Sequence, residues 1–396
     1  MRFSSALSVQ PDWTEVIPDL CQQVRAELGD ARIHLGLLFV HFRFVAHIRA
    51  LADAVRKELG IEMLVACTGA GIVGVDREVE RREAVSLLAA HMPDVDVHGF
   101  HVTDDDLEQS GGPSYWHYKL GLEPEPKRNL LVLGEPYSIS AIRLINELTE
   151  AYPGAPMLGG LVSGGQDRGE HVLVLNDRTH REGAIVLALS GNVMLHAAVS
   201  MGCRPIGQPL IITRAEKNVI FEMGGRPPIH VLHDMLPTLS ERDQQLARTS
   251  LVLGRVINEY QEEYAQGDFL IRNLLGGDDK SGALEVGDYV HTGQTVQFQV
   301  RDGQTAHEDL RHVLAAVKQR LGGSHVHGSL LFSCLGRGQS MYGATSHDVR
   351  LLRKFFPGLP AAGFFCNGEI GPVGDRSYVH GFTSVMGLFT QVRATG

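Results

Sequence analysis

Apolar and polar positions along the chain follow two rhythms. Short apolar runs end abruptly in glycine-rich polar breaks, and longer stretches between them repeat apolar residues at helical spacing. From Trp13 to Leu28, the spacing of Val16, Ile17, Leu20 and Val24 predicts an amphipathic helix. A strand from Ile33 to Val40, a helix from about Phe44 to Leu59 and a strand from Met63 to Cys67 follow, then strands Ala84 to Ala90 and Val95 to Val102. The aromatic cluster Tyr115-Trp116-His117-Tyr118 fits neither rhythm clearly. A second cycle reads strand Asn129 to Leu133, helix Ser138 to Ala151, and strands Pro156 to Val162, His171 to Leu175 and Ala184 to Leu189. A third reads strand Ser329 to Ser333, helix about Ser346 to Phe356, and strands Pro360 to Phe365 and Val379 to Leu388.

Cycles two and three align without gaps across one turn. Pro153-Gly154-Ala155-Pro156 falls over Pro357-Gly358-Leu359-Pro360, and Gly159, Ser163 and Gly164 fall over Gly363, Asn367 and Gly368. Met63 to Gly71 repeats the shape more faintly, and the opening strands align Leu37, Leu130 and Leu330. The shared P-G-x-P-x-x-G frame argues for an internal duplication of a β-α-β-β-β unit. Between cycles two and three the pattern changes: Ala197 to Phe221 is strand-rich, Glu241 to Tyr264 reads as a broken helix, and Ala306 to Arg320 reads as another helix. The expected fold is therefore α/β (mixed α+β), with two related domains, 1–191 and 192–396, whose central mixed sheets are flanked by helices. The pattern leaves open whether the sheets stand apart or pack face to face as αββα layers.

Composition narrows the function classes. The net charge is −10, with 46 acidic against 36 basic residues, and the basic pairs Arg81-Arg82 and Lys127-Arg128 form no stripe, so nucleic acid is a poor partner. No apolar run approaches the roughly 18 residues of a membrane span, and the first residues lack the apolar region of a secretory signal, so a cytoplasmic protein without membrane insertion is expected. The five cysteines lie far apart with no C-x-x-C, which fits neither a disulfide framework nor a structural zinc site.

The glycine-rich breaks hold the candidate chemistry. Cys366-Asn367-Gly368-Glu369 offers close backbone approach, an amide and a carboxylate; the plainer reading is a turn capped by its own asparagine. Ser163 and Thr68 are its counterparts. Arg204 and Arg337 are candidate clamps for a carboxylate, with Tyr342 near the second, although either could simply pair with a local acid. Cys334 and Cys366 both end strands of the third cycle. A thiol- or metal-dependent enzyme would need Cys366, Glu369 and His380 to converge, whereas small buried cysteines are the commoner case. His325-x-His327 puts two imidazoles on one strand face without an evident third metal ligand, and none of the 19 histidines is marked as a haem ligand.

Several stretches resemble the FIST domains, a paired N- and C-terminal module. They are Gly202-Cys203-Arg204-Pro205-Ile206-Gly207, Phe269 to Gly276, Gly293 to Phe298, Phe332 to Gly338 with Met341-Tyr342-Gly343, the Ala361 to Pro372 stretch, and His380-Gly381-Phe382-Thr383. The N-terminal resemblance rests mainly on Cys67-Thr68-Gly69-Ala70-Gly71, where Gly71 replaces the acid of a commoner pattern. The resemblance implies a small-ligand sensory module, with amino-acid-like ligands proposed for the family and haem carried by some members. It implies a stand-alone member that signals through a separate output protein. A haem-based gas sensor and a protein-interaction scaffold, the latter suggested by an F-box relative, are the alternatives.

Overall fold

The computed structural model describes residues 1–125 and 128–392, so Lys127 of the Lys127-Arg128 pair lies outside the described residues. By its contacts the chain forms two compact units. The first comprises Met1–Val199, Leu310–Val379 and the segment from Thr383 onward; the second comprises Ser200–Asp309 with His380–Phe382. A single cut at Gly191 does not describe this partition, because the chain leaves the first unit after Val199 and rejoins it at Leu310.

Helix signals act locally as the sequence predicts. After strand β1 (Arg2–Ser8), helix α1 (Trp13–Leu28) starts where the Asp12 side chain accepts from the Thr14 amide at 2.9 Å. Strand β2 (Leu35–His41), helix α2 (Ile48–Leu59) and strand β3 (Met63–Gly69) follow, with α2 ended by Gly60 at φ +64°. A short hairpin, β4 (Gly71–Gly74) and β5 (Arg77–Glu80), leads into β6 (Val85–His91).

The second pass begins with β7 (Val95–Val102) and helices α3 (Asp104–Gln109) and α4 (Pro113–Leu120). The aromatic cluster belongs to α4, which starts at Pro113 and buries Trp116, whose indole donates to Glu147 at 2.8 Å. Next come β8 (Asn129–Gly134), α5 (Ala141–Ala151), β9 (Met157–Leu161), the hairpin β10 (Leu173–Leu175) and β11 (Arg178–His180), and β12 (Ala184–Gly191).

After β13 (Met194–Met201) the chain builds the second unit. Its strands are β14 (Cys203–Pro205), β15 (Leu210–Glu216), β16 (Val219–Met223), β17 (Leu251–Val256), β18 (Phe269–Arg272), β19 (Leu274–Asp278), β20 (Ala283–Val286) and β21 (Thr295–Arg301). Helix α6 (Pro228–Met235) was not foreseen from the pattern, and the helix expected to run to Tyr264 stops early. Helix α7 (Glu241–Ser250) gives way to β17 because Leu251-Val252-Leu253 pairs with β21 instead. Helix α8 (Gly303–Leu321) returns the chain to β22 (Gly328–Cys334), α9 (Gln339–Tyr342), α10 (His347–Phe355), β23 (Ala361–Cys366), and the hairpin β24 (Glu369–Val373) and β25 (Arg376–His380). The last strand, β26 (Thr383–Thr390), is separated from β25 at Phe382, whose φ is +59°, so the run expected from Val379 to Leu388 is two strands.

The first unit contains three six-stranded sheets with one plan. Their orders are β1-β6-β2-β3-β10-β11, β25-β24-β9-β8-β12-β7 and β13-β26-β22-β23-β4-β5. Each is centred on a parallel pair (β2/β3, β8/β9, β22/β23), and a helix makes each crossover, as parallel pairing requires. Beyond each pair the following hairpin joins a different sheet: β4–β5 pairs with β23, β10–β11 with β3, and β24–β25 with β9.

Helices cover the outer faces. Val16, Leu20, Leu51 and Val55 pack on Leu38, Val40 and Leu87; Leu144 and Leu148 pack on Val132 and Val186; Leu314 and Leu352 pack on Leu331 and Met386. The inner faces share one apolar core that includes Phe39, Leu133, Phe332 and Phe364. Two facing layers would have made αββα; here three sheets share the core. A small apolar void is lined by Leu37 and Phe39, Leu131 and Leu133, and Leu330 and Phe332. Leu131, not Leu130, therefore matches Leu330. That one-residue shift decides which side chains face inward.

Candidate functional site

The three glycine-rich breaks lie where β3, β9 and β23 end, and they are tied together. The Ser163 hydroxyl accepts from the Ala70 amide at 2.9 Å and donates to the Phe365 carbonyl. The Asn367 amide donates to the Leu161 carbonyl at 2.9 Å, and the Leu161 amide donates to Gly368 at 2.8 Å. The Thr68 hydroxyl accepts from the Val172 amide at 3.4 Å. Thr68 and Ser163 are both buried, and their polar atoms are engaged in joining strands. Asn367, in the turn between β23 and β24, is exposed, while Glu369, the first residue of β24, is fully buried.

A buried dyad, which sequence reasoning missed, braces the second break. Glu135 and His171 are fully buried and 2.8 Å apart. Nε2 of His171 accepts from the Gly165 amide at 3.0 Å, so Nδ1 carries the hydrogen donated to Glu135. The other Glu135 oxygen accepts from the Tyr137 amide at 3.0 Å. This dyad is internally satisfied.

The third break is different. Beyond Cys334 the chain turns through Leu335 and Gly336 and buries Arg337 completely. Arg337 donates through Nε to Asp348 Oδ2 at 2.8 Å, and through Nη2 to Asp348 Oδ1 at 3.2 Å and the Tyr342 hydroxyl at 2.6 Å. His347 meets the same carboxylate at 2.8 Å. Burial opposes charge on Asp348, yet Arg337 beside it holds its carboxyl well below the usual range. Glu78, delivered by β5, is pushed up to about 8 by burial and by Asp348's charge, although it accepts from the Val349 amide at 2.9 Å. Asp348 and Glu78 were not foreseen. The available signal for Asp348 was an acid among Val349, Leu351 and Leu352 on the buried face of α10.

Glu369 completes the cluster. Burial pushes its carboxyl well up, against the Thr383 amide (3.1 Å), Arg337's charge and the polar influence of Cys334. Its Oε1 and the Nη1 of Arg337 are both buried and without a hydrogen-bond partner. The position itself is unusual. Ile370 pairs with Gly159 and Val73 pairs with Gly363, so Glu369 stands in β24 where buried Ile72 stands in β4. A carboxyl replacing isoleucine in a core has no packing rationale and is expensive to bury.

Of the residues singled out, Cys334, Arg337, Tyr342, Cys366, Gly368 and Glu369 belong to this neighbourhood. Arg204 belongs to the second unit, where its guanidinium meets Asp243, and Asp302 at 3.0 Å. Burial, then the charge of Glu369, pushes the Cys366 thiol well up, the opposite of what a nucleophile requires. His380 is grouped with the second unit. His325 and His327 lie edge to face with centroids 4.6 Å apart, and no group of three or more His, Cys, Asp or Glu among the described residues is arranged to hold a metal ion. All five cysteines are thiols, and no helix among the described residues is long and apolar enough to cross a membrane.

Comparison with known proteins agrees with the sequence resemblance. The FIST N domain matches residues 34–226 and the FIST C domain residues 228–372. An uncharacterized protein of Mycobacterium tuberculosis (strain H37Rv) is 36% identical over 389 residues, covering 98% of this chain and 100% of that protein. An uncharacterized protein of Mycobacterium bovis is 34% identical over 390 residues, covering 98% and 99%. Human F-box only protein 22 is 34% identical over 93 residues, 18% of this chain and 23% of that protein. Among solved structures, a cyanuric acid hydrolase aligns over 99% of this chain and 100% of its own with a TM-score of 0.33 and 8% identity, too slight a likeness to carry an argument. With an N domain followed by a C domain over most of its length, the chain belongs to the FIST family of sensory, ligand-binding signalling modules.

Proposed function

We propose that this protein is a cytoplasmic small-ligand sensor that binds an amino-acid-like zwitterion at the Arg337–Glu369 cluster and acts through a separate output protein. The observation that carries this reading is the pair of buried, unpartnered atoms of opposite character, Arg337 Nη1 and Glu369 Oε1. Such atoms are rare in folded proteins and mark places where a ligand or water completes the bonding. A ligand carboxylate would accept from Nη1, and a ligand ammonium would draw Glu369 into its ionised form. Cys334, Cys366 and Tyr342 would shape the surround.

The segment from Leu335 to Ser346, which carries Arg337 and Tyr342, supplies the moving part of the proposal. Gly338 and Ser346 both have positive φ, +63° and +61°, and Leu335, Gln339 and Ser340 are exposed. The Gln339 amide donates to Glu80 at 2.9 Å, a tie that ligand entry would break. At the two ends, the Leu335 amide donates to the Cys366 carbonyl at 3.0 Å and the Ser346 hydroxyl accepts from the Glu78 amide at 3.1 Å. A thermal-shift screen of the standard amino acids tests the reading. At least one should raise the melting temperature of the parent protein and not that of Glu369→Gln. A ligand that stabilises both equally would place binding elsewhere.

A further inference from the structure

The P-G-x-P turn that recurs in the sequence walls two clefts of the first unit, away from the Arg337–Glu369 cluster. One, about 620 Å³, lies between Pro357–Pro360, the start of β1, the end of α8 and the His325–His327 segment. The other, about 680 Å³, lies between Gly154–Pro156, β13 and the face of α8. Both volumes suit a small organic ligand. Their charges differ. The second cleft sets Arg320 against Asp375. The first has Arg2 and Lys318 with one carboxylate, Glu27, and adds His325 and His327.

Neither Arg2 nor Lys318 forms an ion pair among the described residues. Each is steadied by a carbonyl, Arg2 by Glu27 at 2.6 Å and Lys318 by Phe355 at 2.8 Å. Carbonyls orient these cations without neutralising them. Lys318 also lies 5.9 Å from the centre of the Phe356 ring, and Phe3 and Pro357 continue the apolar wall. A cation above an aromatic and proline wall matches a carboxylate joined to a flat apolar body. On a chain of net charge −10, this is a local reversal of sign.

We propose that this first cleft is a second binding site, for a small organic carboxylate with an aromatic body. Phenylacetate is the probe, and its neutral isostere phenylacetamide is the control; the ring signals of His325 and His327 are followed by NMR. Phenylacetate should shift both histidines saturably, and phenylacetamide should bind at least about tenfold more weakly, as expected for one charge-assisted hydrogen bond. Exposed Lys318→Gln should weaken phenylacetate by a similar factor, while Arg320→Gln in the matching cleft and Glu369→Gln should leave it unchanged. The proposal is overturned by no saturable shift, by equal affinity for the amide, by unchanged binding in Lys318→Gln, or by loss of binding in Glu369→Gln. Because Glu369→Gln is a bystander here, failure of this site would not touch the zwitterion site.

Discussion

Gly159 and Gly363 occupy the same backbone environment in two different sheets. A Cβ on Gly159 would fall 1.8 Å from the carbonyl oxygen of Val132, and one on Gly363 1.8 Å from that of Leu331. Each strand therefore approaches its parallel partner at a glycine, just before the break that ends it. Gly159→Ala and Gly363→Ala should each destabilise the fold by about 1–3 kcal/mol or more, measured by denaturant unfolding, because backbone must move. An unchanged midpoint in either variant would contradict the equivalence.

That glycine was legible in the sequence, and so was most of the first unit. The P-G-x-P-x-x-G frame fixed the turn, the glycine and the following break in cycles two and three. What the pattern could not carry was partner choice. A hairpin such as Gly71–Glu80 has the same alternation whichever sheet it joins, so the exchange of hairpins among sheets was invisible. The same limit hid half of the candidate site. Arg337 and Glu369 stand out beside glycines, but Glu78 reaches the Val349 amide, next to Asp348, from a strand more than two hundred residues away in the chain. Helix α7 was overrun for another reason: propensity favours continuing past Ser250, and pairing with β21 overrides it.

The buried Arg337–Asp348 pair makes a strong stability prediction. Removing one member leaves the other charged and uncompensated, so Asp348→Ala and Arg337→Ala should each cost about 3–5 kcal/mol. An arginine that only clamped a ligand's carboxylate could be truncated with little loss of stability. Complete burial reverses that expectation. A melting temperature within experimental error of the parent's would refute the structural role.

Glu78 gives a pH dependence whose sign is fixed. Its carboxyl titrates near 4.5 when free and at about 8 in the fold, so the folded state holds the proton more tightly. Its contribution is fully present below pH 4.5 and is lost as pH rises through about 8. Melting temperature should therefore decline across that window, and Glu78→Gln should flatten the decline. A profile that Glu78→Gln leaves unaltered would mean that the carboxyl is already ionised.

The segment from Leu335 to Ser346 should behave as a locally unstable segment. Amides of Leu335 to Ser346 should exchange with solvent faster than those of β22 and β23, and ligand should slow them. Exchange that matches the flanking strands and ignores ligand would leave the zwitterion without a route in.

Calorimetry of the stabilising amino acid, repeated near pH 7 in buffers of different ionisation enthalpy, tests the central claim most directly. Burial favours the protonated carboxyl of Glu369, and a ligand ammonium would favour the carboxylate. Binding should therefore release protons in the parent protein. Glu369→Gln should bind at least about tenfold more weakly and release none. Binding without proton release, or the same release from Glu369→Gln, would contradict the assignment of this carboxyl as the ligand's partner.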